Sequence, residues 1–242
     1  PNAENAKCLW SWHIWCTDYE PNVTEGQKFF NNLVWMDRNL GAMTNEYTID
    51  GGVKGLFYQW GRKDPFPASE GWTDQEKMLY TLTGTTSLSY KEVDTSENLV
   101  AAIRQPARFF IAITSPGDWY TNSMSLLNRT LWLPNTKTIF DPCPVGWRVP
   151  GNQPWTGLLQ GGVFNSYLNG LVHPDAGYFP CTGYRRPQTG RFDSLGNIVE
   201  WFAVASSSNE CYGLIFQSVG VLRKEWSTYW RADGRSIRCV KE

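Results

Sequence analysis

Few residues in this chain are able to do covalent or metal chemistry. His13 and His173 are the only imidazoles in 242 residues, so a Ser–His or Cys–His pair has to use one of them. His13 stands inside the aromatic run Cys8-Leu-Trp-Ser-Trp-His-Ile-Trp-Cys16 and reads as a packed ring. His173 precedes Pro174-Asp175 and reads as a loop residue rather than a base. Cysteines stand at 8, 16, 143, 181, 211 and 239, with no C-x-x-C spacing, which argues against a zinc knuckle or a thioredoxin-like site. Their even number suits disulfides and leaves many pairings open. Cys8 and Cys16 are excluded as mutual partners if 8–16 is one extended strand, because about 26 Å would separate them. Signatures of a P-loop, a dinucleotide fold, a nucleophile elbow, a zinc protease and an EF-hand are all missing. A glycosidase carboxylate pair is defined by separation in space, so 23 acidic residues carry no such signal. The reading is therefore of a non-enzyme with no cofactor and no metal.

The elements that would position such residues are short. Residues 8–16 and 29–37 read as strands rich in aromatics. Asp50-Gly51-Gly52 marks a turn, Gly55–Trp60 a short apolar element, and Asp64-Pro65-Phe66-Pro67 breaks regular structure. The polar stretch 68–96 reads as a long insertion loop. Leu99, Ala102 and Ile103 give 97–105 helical spacing, with Ser96 as its N-cap and Pro106 as its stop. Arg108–Ile113 looks like a buried strand, and 141–150 a rigid loop with a short strand. Beyond 177, short strands are expected at 177–184, 191–193, 197–204, 211–217 and 235–240, divided by Gly, Pro and Ser. Brief strands with frequent turns favour an antiparallel α+β domain over βαβ units.

Bulk numbers bound the function. The length suits one large domain with core enough to fold without a metal or disulfide staple. A net charge of −1 with 19% charged residues offers no basic surface for nucleic acid. No apolar run approaches the roughly 20 residues needed to span a bilayer. The opening Pro1-Asn2-Ala3-Glu4 reads as a trimmed, mature fragment. The chain carries 13 Trp, 11 Tyr and 12 Phe, rings that suit either sugar stacking and protein hot spots or a loop-rich core. Asn22-Val-Thr24 and Asn128-Arg-Thr130 are formal glycosylation sequons.

Five phrases in order carry a resemblance: Leu9-Trp-Ser-Trp-His-Ile-Trp15, Trp35-Met-Asp-Arg-Asn-Leu-Gly-Ala42, Gly55-Leu-Phe-Tyr-Gln-Trp-Gly-Arg-Lys-Asp-Pro-Phe66, Asp141-Pro-Cys-Pro-Val-Gly-Trp-Arg-Val-Pro150 and Gly234-Arg-Ser-Ile-Arg-Cys-Val240. Together they are similar to the fibrobacter-type major paralogous domain of Bacteroidetes surface proteins, found beside fimbrillin-like domains. The resemblance runs from residue 9 to 240. It implies a C-type-lectin-like fold with long loops and short antiparallel strands, secretion to the bacterial cell surface, and adhesion, as at a fimbria tip. Residues 1–24 then form an N-terminal aromatic strand and extension at the edge of a preceding domain, and 25–242 the lectin-like domain. Chain ends meet in that fold, so the resemblance also implies a Cys143–Cys239 disulfide. Glu20-Pro21-Asn22 matches the sugar-selecting triplet of calcium-dependent C-type lectins, but it lies at the wrong end of the chain and no Trp-Asn-Asp follows. No calcium is expected.

In some relatives the stretch before the closing Arg-Cys-Val strand is a retroelement-diversified, variable binding face, which here corresponds to about 206–231. The residues themselves support that choice. Arg223–Arg231 fits neither a strand nor a helix period and so reads as a loop, yet it concentrates hot-spot residue types. The expected ligand-binding set is Trp226, Tyr229, Trp230, Arg223, Glu225, Ser227, Thr228, Tyr212 and Gln217, joined by Tyr184 and Arg186 on a neighbouring loop. Arg231 is left out as structural. The partner is an extracellular glycan or protein, alongside fimbrial or surface-anchored domains. Gly196-Asn-Ile-Val-Glu-Trp201 also resembles a signature of formylglycine-generating enzymes, copper oxidases that share the general fold and use a cysteine pair. Such an oxidase and a purely structural pilus subunit are the alternatives.

Overall fold

Hydrophobic alternation brackets two asparagines that tolerate a left-handed backbone, and the chain folds back on itself there. β1 (Gln27–Phe30) and β2 (Leu33–Met36) form a tight antiparallel hairpin around Asn31 (φ 51°) and Asn32 (φ 59°). Positive φ at both central residues is the requirement of the two-residue hairpin turn that matches strand twist. The single strand expected over 29–37 is thus corrected to a hairpin. The computed structural model describes residues 8–205, 210–217 and 223–242; for positions 199, 202, 203, 217 and 223–226 it describes backbone alone.

Residues 8–16 join no sheet, which corrects the second expected strand. They run extended, with Trp10, His13 and Trp15 turned toward the body while Trp12 and Ile14 are 78% and 80% exposed. Side chains fasten them. Ser11 Oγ donates to Asp64 (2.5 Å), Lys63 Nζ reaches Ser11 O (2.8 Å), and Trp10 lies under the Lys63 ammonium beside Phe140. Trp15 packs against Tyr19 and the main core.

β3 (Leu56–Gln59) pairs with the two-residue β4 (Phe66–Pro67), so the expected break at 64–67 ends in a short strand. The expected insertion loop 68–96 contains a hairpin, β5 (Leu79–Thr81) with β6 (Gly84–Thr86), and then β7 (Ser89–Glu92). α1 (Leu99–Arg104) follows as expected, although Ser96 is not its cap: Ser96 bonds Asp94, and Asn98 precedes the helix. β8 (Arg108–Ile111) is buried and runs parallel to β7.

β9 (Trp147–Arg148) leads through a 3-10 turn at Gln153–Trp155 and α2 (Leu158–Gly161) into a meander of β10 (Val163–Asn165), β11 (Gly170–His173) and β12 (Gly177–Pro180). β13 (Tyr184–Arg185) and β14 (Phe192–Asp193) are next, then three long strands: β15 (Asn197–Ala205), β16 (Glu210–Gln217) and β17 (Arg223–Trp230). β18 (Gly234–Arg235) enters the sheet ordered β14-β13-β18-β3-β4, and β19 (Val240–Lys241) enters the sheet ordered β1-β2-β19-β9. The last nine residues therefore stitch the two sheets together, with Val240 opposite Trp35. The fold is antiparallel β for the most part, with two short helices.

Tryptophan fills the middle. Trp35, Trp60, Trp119, Trp132, Trp147, Trp155 and Trp201 are all fully buried. Arginine binds the loops together. Arg62, Arg185, Arg231, Arg235 and Arg238 are buried as completely as these rings. Arg62 donates to Gln59 Oε1 (3.0 Å) and to the carbonyls of Gln105, Pro106 and Arg108, and stacks on Phe66. Arg185 holds Glu76 through two 2.9 Å bonds and takes the carbonyls of Pro67 and Gly190. Arg238 bonds Asn39 Oδ1 and Tyr178 O, with its guanidinium 3.7 Å from the Phe179 ring centre.

Cys143 and Cys239 are disulfide-bonded across 96 positions. Cys8, Cys16, Cys181 and Cys211 are free. Reducing the bridge, or replacing both cysteines by Ser, is expected to cost on the order of 4 kcal/mol because the closed loop is long; the denaturant midpoint with and without reductant checks it.

Glu200 on β15 is fully buried, with the Asn39 amide and the Arg238 guanidinium the polar groups that act on its carboxyl. Burial pushes its carboxyl up to about 8, with the Arg238 charge opposing. The folded protein then keeps Glu200 protonated where the unfolded chain has lost the proton. Stability from this residue is whole below about pH 4.5 and falls as pH rises toward 8. Glu200→Gln is expected to flatten that fall, gaining on the order of a few kcal/mol over the wild type at pH 8 and little at pH 4. Thermal melts across this pH range decide it.

Candidate functional site

The stretch expected to bind, 206–231, is mostly strand. Arg223–Trp230 is β17, the edge of the sheet β15-β16-β17, which corrects the loop expected over Arg223–Arg231. The period-2 signal is missing for a structural reason. Pairing passes from Gly213↔Ser227 to Ile215↔Lys224, two steps on β16 against three on β17. That extra residue is a β-bulge, which interrupts strict alternation along a strand. A second irregularity lies between Trp201 and Ala205 on β15.

The expected residues divide into groups. Tyr229 is half-buried against the main core, opposite Cys211, with the Arg235 guanidinium 3.5 Å from its ring centre. Trp230 lies against the backbone of Gly117, whose φ is +70°; a Cβ there would sit 2.2 Å from the indole. Only glycine fits. Ser227 and Thr228 are half-buried, with Thr228 paired to Tyr212. Tyr212 packs at the edge of the second core cluster, with Leu214 and Phe216. For Gln217, Arg223, Glu225 and Trp226 the backbone is in strand and the side chains lie outside the described residues, as do 206–209 and 218–222 altogether.

Tyr184 and Arg186 converge on Asp193, at 3.1 and 2.6 Å to the same Oδ2. Burial pushes the Tyr184 phenol up to about 12. The Arg235 guanidinium, 5.1 Å from the Tyr184 ring and 3.5 Å from Tyr229, brings the two expected regions to one hub. Arg231 is structural, as expected: it is buried in a 3.0 Å ion pair with Asp118 and donates to Asn128 O and Glu210 O.

Several groups able to do chemistry have structural contacts elsewhere. Cys211 is buried and burial raises its thiol well above the ordinary range; Cys181 is pushed up to about 12 for the same reason. Cys239, which a copper-binding pair with Cys211 would need, is bonded to Cys143. His13 Nδ1 faces Tyr58 OH at 3.4 Å, and His173 Nδ1 accepts the amides of Asp175 and Ala176 within its loop. Burial lowers both imidazoles. Asn22 accepts from Trp147 Nε1, so one member of the Glu20-Pro21-Asn22 triplet is a core contact. Among the described residues no three His, Cys, Asp or Glu side chains cluster as a metal would need.

One surface feature went unread in the sequence. An open groove of about 460 Å³ is lined by Asn31, Asn135, Arg148, Asn152 and Gln153, with Val204 of β15 at its border. Its members come from four distant segments, and single polar residues in loops carry no periodic signal. Comparison with family models, with curated proteins and with solved structures returned no match to this chain.

Proposed function

We propose that the chain is a non-catalytic ligand-binding or adhesion module of C-type-lectin-like fold, acting outside the cell at a bacterial surface. Its contact surface lies in the 206–231 region and its ligand is a glycan or a protein. One observation carries the reading: the three-stranded sheet that spans this region is fastened to the interior by buried side chains. Trp201 Nε1 donates to Tyr58 O (2.7 Å), Arg235 grips Tyr229 from below, and Arg231 ties the end of β17 to Asp118. A region held by a rigid frame is where proteins place recognition, because the frame tolerates change in what it carries. The five phrases resembling the major paralogous domain family favour the same surface and a place beside fimbrial partners.

The frame and the tips are expected to respond differently to mutation. Tyr229→Ala removes a half-buried ring and its guanidinium contact, and should cost on the order of 2–3 kcal/mol of stability. Replacing 206–209 and 218–222 by Gly-Ser segments of equal length should leave the melting temperature within about 3 °C. Beads carrying the wild-type protein should adhere to surfaces coated with gastric mucin, fetuin or serum albumin, and the tip-replaced protein should lose that adhesion. Adhesion unchanged by tip replacement in a folded protein would overturn the assignment of the surface.

A further inference from the structure

We propose that the groove between the β1–β2 turn, the loop at 134–135 and the segment 148–154 is a binding site for an acidic carbohydrate, with Arg148 pairing the sugar carboxylate and the side-chain amides of Asn135, Asn152 and Gln153 reading its hydroxyls. The inference goes beyond the proposed contact surface at 206–231 and uses none of its residues.

The walls are fixed before any ligand arrives. Asn31 donates through Nδ2 to Pro154 O (2.9 Å) and Thr156 O (2.6 Å), tying the hairpin tip to the 3-10 turn across more than a hundred residues of sequence. Arg148 Nη1 donates to Pro134 O and Val149 O, which joins β9 to the opposite wall. Gly151 lies at the floor, where a Cβ would meet Pro134 at 3.1 Å. A cavity of about 460 Å³ is in the range of small-molecule sites.

What remains uncommitted defines the ligand. The side chains of Asn135, Asn152 and Gln153 make no hydrogen bond within the described residues, and Nε and Nη2 of Arg148 are left over after its two carbonyl bonds. An amide presents a donor and an acceptor side by side, which a hydroxyl on a sugar ring answers with its own donor and acceptor. The guanidinium fork matches a carboxylate. No carboxylate lines the groove, which disfavours amines and divalent cations, and no aromatic ring lines it, which disfavours a stacked base. Pro134, Pro154 and Val204 offer apolar contact for ring carbons. Asp141, held by Lys137 and by the amides of Cys143 and Val149, and Glu242 both act on Arg148 through their charge, so a ligand carboxylate joins a guanidinium that is already partly compensated.

The test is titration of the full chain, by calorimetry and by ligand-observed NMR, with methyl glucuronide, an N-acetylneuraminic acid methyl glycoside, methyl glucoside, acetate and a hexaglutamate peptide. The acidic sugars should bind at least about tenfold more tightly than methyl glucoside, the value expected of one charge-assisted pair. Arg148→Gln should abolish that preference. Asn152→Ala and Gln153→Ala, both at solvent-accessible positions, should each weaken the acidic sugars about threefold to tenfold with an unchanged melting temperature. Acidic and neutral sugars bound equally or not at all would overturn the proposal. So would acetate binding as tightly as the glucuronide, which reduces the site to a bare anion contact. Hexaglutamate binding more tightly than either sugar would reassign the groove to acidic peptides, and retained sugar binding in the Asn152→Ala, Gln153→Ala double variant would place the ligand elsewhere.

Discussion

The burial of planar guanidinium groups among loops and aromatic rings is the feature on which this fold depends. Most strands here are two to four residues long, so much of the interior backbone lies in loops whose carbonyls no ladder satisfies. A buried carbonyl without a donor costs about as much as a lost hydrogen bond. Five arginines supply donors several at a time, and each also lays its flat face on an aromatic ring. Lysine would not serve, since its ammonium is a point charge without a planar fork. Three of these hubs are neutralised by buried acids, Asp64 for Arg62, Asp118 for Arg231 and Asp233 for Arg235, and Arg185 by the half-exposed Glu76.

Tryptophan plays a related part. Trp119 Nε1 donates to Trp60 O, Trp132 to Phe140 O, Trp35 to Phe30 O and Trp201 to Tyr58 O. Each indole fills volume and closes one carbonyl, the combination a core poor in regular structure needs. The high Trp content is thereby largely accounted for by architecture. It is a weak guide to ligand chemistry, and the amide groove, which holds no ring, makes the same point from the other side.

Legibility in the sequence followed local physics. The helix expected over 97–105, the buried strand expected over 108–113 and the strands expected at 191–193, 197–204 and 211–217 were readable because spacing and turn residues are local signals, whereas the single strands expected over 177–184 and 235–240 are each two short strands in different sheets. Arg223–Trp230 was unreadable as a strand because the extra residue opposite Gly213–Ile215 shifts its alternation halfway along. Cys8–Cys16 alternates well and still forms no ladder; it leans on the body by side chains, and alternation records facing, not pairing. Asn31-Asn32 was readable in principle, since two adjacent asparagines are a turn signal, but the apolar residues on both sides masked it. At the candidate sites, the structural role of Arg231 was legible from the sequence and the gathering of Tyr184 and Tyr229 at Arg235 was not, because the hub sits outside both stretches.

The Cys143–Cys239 bond has a mechanical consequence. Everything from 144 to 238 lies inside a covalent ring, including β15, β16 and β17. Tension applied along the backbone on either side of the ring passes from one sulfur to the other and never enters the enclosed chain. A pull strong enough to peel away the first 142 residues would still leave those three strands unloaded.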